Sequence, residues 1–452
     1  MANIDVTIEK LIYGGEGLAH HDGATVFVPF VLPDERVSAS PVERKKKFVR
    51  ARVQDLLAPS ADRIAPRCPH FGVCGGCDYQ HIGYESQLKY KSQILRETLR
   101  RIGRVELAGE IVTHASPPWA YRNRAQWKVR PLADAPEIGA DSASSPGRDS
   151  AAGAPLGIGY FRANSSALCA VEDCPILSPL LLRTLLALRH SLAAGELPKN
   201  LREIEAFAGA NDSQLLLTAT FSGFPPRAAE LAQTFREVVP ETASLLFHDP
   251  TRERMELFGP GFISSQAADR TYRVGHFSFF QVNRFLAGDL ARQVAHNDPG
   301  GALALDLFAG VGLFSLPLSE KFEHVVAVED NPASARDLEA NIATIPRAAA
   351  GRGPAVSVEV RLADAEQFLA KYRGAPQLVV LDPPRAGLTP QIIKHLARIA
   401  PARITYVSCD PPTLARDLAA FQQAGYELGE LHLFDLFPQT FHMESVARLR
   451  RR

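Results

Sequence analysis

Apolar residues are spaced in three different ways along the chain. Over residues 1–57 they fall in short segments that alternate or are rich in Val and Phe: Ile4–Ile8, Ala24–Pro29, Arg36–Ala39 and Phe48–Leu56. Gly14-Gly15, Asp22-Gly23 and Pro33-Asp34 punctuate them as turns. Several short strands in so little chain predict a small OB-type β-barrel. Next, Leu88, Ile94, Leu95 and Leu99 recur at helical spacing, predicting a helix over 86–101 with basic residues on its other side. Residues 119–130 (WAYRNRAQWKVR) alternate apolar with basic side chains, as a strand with one cationic face would. Residues 132–156 are rich in Ala, Ser, Gly, Asp and Pro and read as a disordered surface insertion. Strands at 157–161, 214–221 and 243–247 then mix with helices at 178–193 and 227–238. From about residue 275 the texture becomes a regular alternation. Strands are predicted at Ala302–Leu307, His324–Val328, Val356–Leu362, Leu378–Leu381 and Ile404–Ser408, with helices between them. That pattern predicts a parallel, doubly wound α/β sheet. The chain therefore divides into a barrel (1–60), a mixed α/β central domain (61–270) and a Rossmann-like α/β domain (271–452).

The composition is that of globular protein: 46% hydrophobic and 22% charged over 452 residues. The most apolar stretch, Leu177–Leu188, is interrupted by Ser178, Pro179, Arg183 and Thr184, so it reads as a buried helix and no membrane span is expected. The N-terminus carries acids where a signal peptide needs a basic start and an apolar core, so a cytoplasmic location is expected. Net charge is zero, but residues 1–130 carry 20 Lys and Arg against 14 Asp and Glu. The run Arg44, Lys45, Lys46, Lys47, Arg50 and Arg52 lies in this basic part and suits either a solvated strand face or a nucleic-acid partner. Three of the six cysteines, Cys68, Cys74 and Cys77, crowd into ten residues. In a reducing compartment such spacing favours a metal or a cluster over disulfides, with zinc and iron–sulfur both open.

Candidate chemistry sits at the predicted strand ends of the third domain. Asp306-Leu307-Phe308-Ala309-Gly310-Val311-Gly312 follows an apolar strand and precedes a helix-like stretch, where glycines let backbone approach a ligand. Glu329 ends the next strand, placed for ribose hydroxyls, and Asp364 follows the third, placed for an adenine amino group. A dinucleotide fingerprint would need a third glycine where Ser315 stands. A leading Asp also suits a cationic sulfonium better than a pyrophosphate. S-adenosylmethionine is the expected ligand. Asp382-Pro383-Pro384-Arg385 follows the fourth strand; amine methylation would want an aromatic where Arg385 stands. Cys409 ends the fifth strand, on the same sheet edge. A thiolate there, beside an Asp382 able to grip a pyrimidine edge, suits methylation of carbon 5 of uracil. That carbon is too weak a nucleophile until a thiolate has added to carbon 6. Loss of the carbon-5 proton then needs a base, for which His442 and Glu444 both qualify.

At this point the chain resembles the RNA uracil-5-methyltransferases, specifically the branch with a TRAM barrel and an iron–sulfur cluster acting on 23S ribosomal RNA. The resemblance covers nearly the whole length. It rests on GGEGLAH (Gly14–His20), CPHFGVCGGCDYQH (Cys68–His81), FFQVN (Phe279–Asn283), DLFAGVG (Asp306–Gly312), LDPPRAG (Leu381–Gly387), SCDPPTLARD (Ser408–Asp417) and HMES (His442–Ser445). It implies Cys409 as nucleophile, Glu444 as base, and Gln281, Phe308, Glu329, Asp364 and Asp382 around the donor and target base. Gly310 and Leu313 belong to the same donor turn. It further implies a [4Fe–4S] cluster on Cys68, Cys74, Cys77 and Cys174, with Cys169 a bystander. Two positions depart from the pattern. Leu313 stands where relatives often have Asn, and Asp410 replaces the usual Asn after the nucleophile, which should raise the Cys409 pKa unless it is paired. The partner implied is RNA, ribosomal in preference to transfer RNA, for a monomeric enzyme that flips its target base. Arg122, Arg124, Trp127, Lys128 and Arg130 are candidate RNA contacts. Cytosine-5 methylation is the rival chemistry, disfavoured because residues 275–452 hold only Cys409. A non-catalytic RNA binder is disfavoured by the full set of site acids.

Overall fold

The structure is a computed structural model describing residues 2–132, 155–295, 298–345 and 357–452. Most of the expected insertion, 133–154, lies outside the described residues. The chain forms two compact units: Met1–Arg67, Cys77–Tyr121 and Ser264–Arg452 make one, Cys68–Gly76 and Arg122–Ile263 the other.

The first unit opens with strands β1 (Ile4–Thr7), β2 (Lys10–Leu11), β3 (Glu16–His21), β4 (Ala24–Pro29), β5 (Arg36–Arg44) and β6 (Phe48–Ala58), in the order β1-β5-β6-β4-β3-β2. Alternation drives it: Ile4, Val6, Val26, Val28, Val37, Ala39, Val49 and Ala51 point into one core. The basic run lies largely at the β5–β6 hairpin, where Lys45, Lys46 and Lys47 are exposed. Helix α1 (Tyr84–Thr98) follows, its last turn running into a π-helical turn over Leu99–Gly103. Its inner face differs from the one expected, because Gln87 and Lys91 are buried beside Tyr90, Ile94 and Leu95. Lys91 Nζ donates to Asp435 Oδ1 at 2.6 Å and to the Phe437 carbonyl at 3.0 Å. Both charged side chains are fully buried. Removing one member of such a pair strands the other in low dielectric, so Lys91→Met is expected to cost about 3–5 kcal/mol. A urea denaturation midpoint within error of the wild type would refute this. β7 (Val112–His114) closes this stretch.

The second unit holds a seven-stranded sheet of β8 (Arg124–Pro131), β9 (Leu156–Phe161), β10 (Leu168–Ala170), β11 (Leu201–Ala208), β12 (Leu215–Phe221), β13 (Thr242–Asp249) and β14 (Arg254–Phe258). Helices α2 (Pro179–Ala193) and α3 (Ala228–Val238) accompany it. Ser178 caps α2, accepting from the Leu181 amide, with Pro179 at the first helical position.

Returning to the first unit, β15 (Phe262–Ala267) and β16 (Arg270–Gly275) form a two-stranded ribbon, followed by α4 (Ala287–Ala295). Then come β17 (Gly301–Leu307), α5 (Ser315–Leu318), β18 (Phe322–Glu329), α6 (Pro332–Ile342), β19 (Ser357–Leu362) and α7 (Ala365–Lys371). They are followed by β20 (Leu378–Leu381), α8 (Pro390–Ile399), β21 (Arg403–Ser408), α9 (Pro411–Gln423), β22 (Tyr426–Phe434) and β23 (Glu444–Arg451). The sheet order is β19-β18-β17-β20-β21-β23-β22-β7. Its first five strands are parallel, as expected, but β23 runs antiparallel to β21 and to β22. This reversal sets Ser445 opposite Ser408 and brings the start of β23 to the carboxyl edge of the parallel strands. Among the described residues no helix is long and apolar enough to cross a membrane.

Candidate active site

Each strand of the parallel set delivers one polar side chain at its carboxyl end, the edge where open α/β sheets bind ligands. Asp306 is near the end of β17, Glu329 ends β18, Asp364 follows β19, Asp382 follows β20 and Cys409 follows β21. The turn after β17 is held from several sides. Phe308 adopts φ +64°, a costly value for a residue with a side chain, and the Ala309 amide donates to the Val328 carbonyl at 3.0 Å. Gly310 donates its amide to Glu329 Oε2 at 2.7 Å, and Asn331 donates to Oε1 at 2.9 Å. Glu329 thus braces the turn and keeps only its remaining lone pairs for ribose hydroxyls. At Gly312 (φ +94°) a Cβ would lie 2.6 Å from Leu338 and 2.7 Å from Leu316. At Gly310 (φ +55°) a Cβ would meet nothing within 4 Å. The turn is therefore packed on its inner side at Gly312 and open at Gly310.

Asp306 is fully buried and accepts from Ser315 Oγ at 2.5 Å, while its other oxygen, Oδ1, has no partner among the described residues. Burial pushes it up to about 7, Ser315 counteracting and Glu329 adding to the rise. An orphaned buried carboxylate oxygen beside an open glycine turn fits a cationic donor such as S-adenosylmethionine. Asp364 is exposed and caps α7, accepting from the Gln367 amide at 2.9 Å. Gln281 is buried in the connection between β16 and α4, and Leu313 is buried with its carbonyl accepting from Tyr272. Phe308 is half-buried.

Around Cys409 the field is acidic. Burial first, then Glu444, Asp382 and Asp410, push its thiol up to about 12, with Arg385 pulling the other way. Glu444 is 4% exposed at the head of β23, its carboxyl raised well above the usual range by burial and by Asp382. Asp382 is itself raised to about 7 by burial and then by Asp306. Asp306, Asp382, Glu444 and Cys409 thus form one repelling series, which would gain from a cation among them. Asp410 is paired: Oδ1 accepts from the Thr413 amide at 2.9 Å, capping α9, and Oδ2 accepts from Tyr13 Oη at 3.0 Å. Sequence reasoning missed Tyr13, and it noted Arg385 only as a departure from the amine-methylating pattern. Only the position of Tyr13, immediately before the Gly14-Gly15 turn, could have singled it out.

Two sequence expectations meet a different arrangement. Trp127 is fully buried, its indole donating to Tyr160 Oη at 3.1 Å, so it cannot stack a base. Its neighbours Arg124 and Lys128 pair with Glu205 and Glu203 on the adjacent strand, and Arg130 donates to the Arg202 carbonyl. Among the described residues no group of three or more Cys, His, Asp or Glu is disposed to hold a metal ion. The four thiols expected to ligate a cluster are soft donors that suit one, and Cys68, Cys74 and Cys174 do not form such a group. Cys68, Cys74 and Cys174 belong to the second unit and Cys77 to the first. Cys169, expected to be a bystander, lies in hydrogen-bonding contact with Cys74, which draws it down to about 7.

Fold and site define an α/β methyltransferase-type domain attached to a small β-barrel. Comparison with known proteins agrees. Residues 263–452 match the tRNA (uracil-5-)-methyltransferase family and residues 2–54 the TRAM domain. The chain is 32% identical to a 23S rRNA (uracil(1939)-C(5))-methyltransferase of Alkalilimnicola ehrlichii, over 99% of this chain and 96% of that protein. It is 33% identical to the enzyme of the same description from Salmonella paratyphi A, with the same coverage. The crystal structure of Pyrococcus abyssi tRNA (uracil-54, C5)-methyltransferase in complex with S-adenosyl-L-homocysteine superposes with a TM-score of 0.73. It is 24% identical and covers 99% of this chain and 100% of that one, which establishes the shared fold. The chain belongs to the RNA uracil-5-methyltransferase family and is an RNA (uracil-C5)-methyltransferase with a TRAM domain.

Proposed function

We propose that this enzyme methylates carbon 5 of a uridine in 23S ribosomal RNA through a covalent link between Cys409 and carbon 6. The observation carrying the mechanism is the meeting of a buried carboxyl, Glu444, and a thiol, Cys409, at the edge where Asp306 and the Gly310 turn lie. The ribosomal substrate is supported by the names of the relatives at 32% and 33% identity. S-adenosylmethionine, when bound, supplies the methyl group on a cationic sulfonium. Asp306 Oδ1 and the open Gly310 turn would hold it, with Glu329 and Asp364 towards its ribose and adenine. Asp382 holds the edge of the everted uracil. The Cys409 thiolate bonds to carbon 6, so the ring's electrons collect on carbon 5, which takes the methyl group. Glu444 then accepts the carbon-5 proton, the ring double bond re-forms and the carbon–sulfur bond breaks, regenerating Cys409.

RNA outside the reacting base would meet the exposed Lys45, Lys46 and Lys47 hairpin and the exposed rings of Phe277, Phe279 and Phe285. In this reading the protein works as a cytoplasmic monomer, with residues 1–60 gripping RNA, 61–270 carrying the cysteine segment and 271–452 performing the transfer. A [4Fe–4S] cluster on Cys68, Cys74, Cys77 and Cys174 rests on the cysteine spacing and the family resemblance. Iron and sulfide in anaerobically purified protein are expected near four of each per chain, and their absence would remove the cluster.

The function is tested with 23S ribosomal RNA fragments and transfer RNA carrying 5-fluorouridine, which has no proton to surrender. With S-adenosylmethionine present, a denaturation-resistant complex should form on a ribosomal fragment and map to Cys409. Trapping on transfer RNA alone would move the substrate to that class. No complex on either RNA would sink the covalent mechanism.

A further inference from the structure

The β2–β3 turn of the barrel reaches the residue next to Cys409. Tyr13 stands in that turn, before Gly14 (φ +107°) and Gly15 (φ +87°). Its hydroxyl donates to Asp410 Oδ2 at 3.0 Å, across 397 residues of chain. Its ring meets Phe441 edge-on, with centroids 5.5 Å apart at 90°, and Phe441 lies three residues before Glu444. The turn fits closely: a Cβ at Gly15 would come within 3.2 Å of Asp78 and 3.4 Å of Phe441. An ion pair between Lys10 and Glu97 ties β2 to α1 nearby. We propose that Tyr13 is a positioning residue for the nucleophile: it holds Asp410, and through Asp410 the turn that presents Cys409, linking barrel docking to catalysis.

The proposal rests on Cys409 being the nucleophile, as argued above. Asp410 has two tasks that conflict. Its Oδ1 caps α9 and so fixes the strand-to-helix turn carrying Cys409. Its negative charge, one residue from the thiol, opposes formation of the thiolate. A donated hydroxyl on Oδ2 satisfies the free oxygen and draws off part of that charge without disturbing the cap. Burial, Asp410 and Cys409 all raise the Tyr13 hydroxyl above its ordinary range, so it stays a donor across working pH. The other groups bearing on Cys409 are Glu444 from β23 and Asp382 and Arg385 from the loop after β20. Among the described residues none of these is hydrogen-bonded to Asp410, whereas Tyr13 is.

The test is the pH dependence of adduct formation between the full-length protein and the 5-fluorouridine RNA that traps the wild type, with S-adenosylmethionine saturating. Tyr13→Phe keeps the ring on Phe441 and removes only the hydroxyl. Its adduct rate at neutral pH should fall about tenfold, with the pH profile displaced upward by about one unit. Asp410→Asn keeps a capping side chain and removes the charge, so the Tyr13→Phe/Asp410→Asn double variant should regain the wild-type profile. Three results overturn the proposal: an unshifted profile in Tyr13→Phe, a shift that Asp410→Asn does not reverse, or weakened RNA binding with an unchanged saturated rate. The last would make Tyr13 an RNA contact only. Failure of the wild type to form any adduct at any pH would instead remove the nucleophile reading itself.

Discussion

Cys409→Ala is expected to abolish methylation, lowering the single-turnover rate on the order of 10⁶-fold, the scale seen when a covalent nucleophile is deleted. Carbon 5 of a neutral uracil holds too little electron density to displace a methyl group, and only addition at carbon 6 supplies it. No other cysteine occurs after residue 174, so no second thiol lies on the methyltransferase sheet. Removing a half-buried sulfur leaves no large cavity, and the fold should survive with an unchanged denaturation midpoint. The 5-fluorouridine complex should vanish with the activity, while RNA binding persists. A variant that methylates within tenfold of the wild type would end the covalent mechanism.

Periodicity made the α/β domain readable because its strands are buried on both faces and bounded by helices, as at Leu378–Leu381, whose expected and observed limits coincide. The two carboxyl-terminal strands were harder to read. β22 and β23 are antiparallel, and nothing local to Tyr426–Phe434 says that the chain turns back between β21 and the edge. Yet that reversal is what carries Glu444 to Cys409. In the barrel, β3 was obscured because His20 and His21 end a strand otherwise recognised only as the GGEGLAH signature. The strand at Arg124–Pro131 shows the opposite failure. Its alternation was visible, but the glutamates that neutralise it stand some 75 to 81 positions away on β11, and pairing at that range leaves no trace in the segment itself.

The site followed the same division. Residues presented by a strand end, such as Asp306, Glu329, Asp382 and Cys409, were legible because the α/β pattern fixes which edge they occupy. Residues brought in by another element were not. Asp410 was recognised as a charge in need of a partner, but the partner is Tyr13, on a turn near the opposite end of the chain. Glu329 was expected to face ribose, and its bonds to Gly310 and Asn331 show that it also builds the turn. That double use is typical of a carboxylate with four acceptor positions.

Glu444→Gln should separate the two halves of the reaction. Burial and the neighbouring Asp382 hold the Glu444 carboxyl well above the usual range, so its ionisation is disfavoured in the free enzyme. As the base it must be ionised, and turnover should therefore rise with pH as Glu444 loses its proton. A cationic donor beside the series of acids would shift that rise to lower pH. Glutamine keeps the volume and cannot develop the negative charge that opposes the Cys409 thiolate, so addition to carbon 6 should not slow. Release should: with no group to take the carbon-5 proton, the methylated ring remains bonded to sulfur. Turnover is expected to fall about 10²–10⁴-fold, and a covalent protein–RNA complex should accumulate on ordinary uridine, without fluorine. Denaturing gels at neutral pH read both effects together. If turnover stays normal, the proton goes elsewhere, with His442 the nearest alternative in sequence. A fall in turnover without a trapped complex would place Glu444 before the methyl transfer rather than after it.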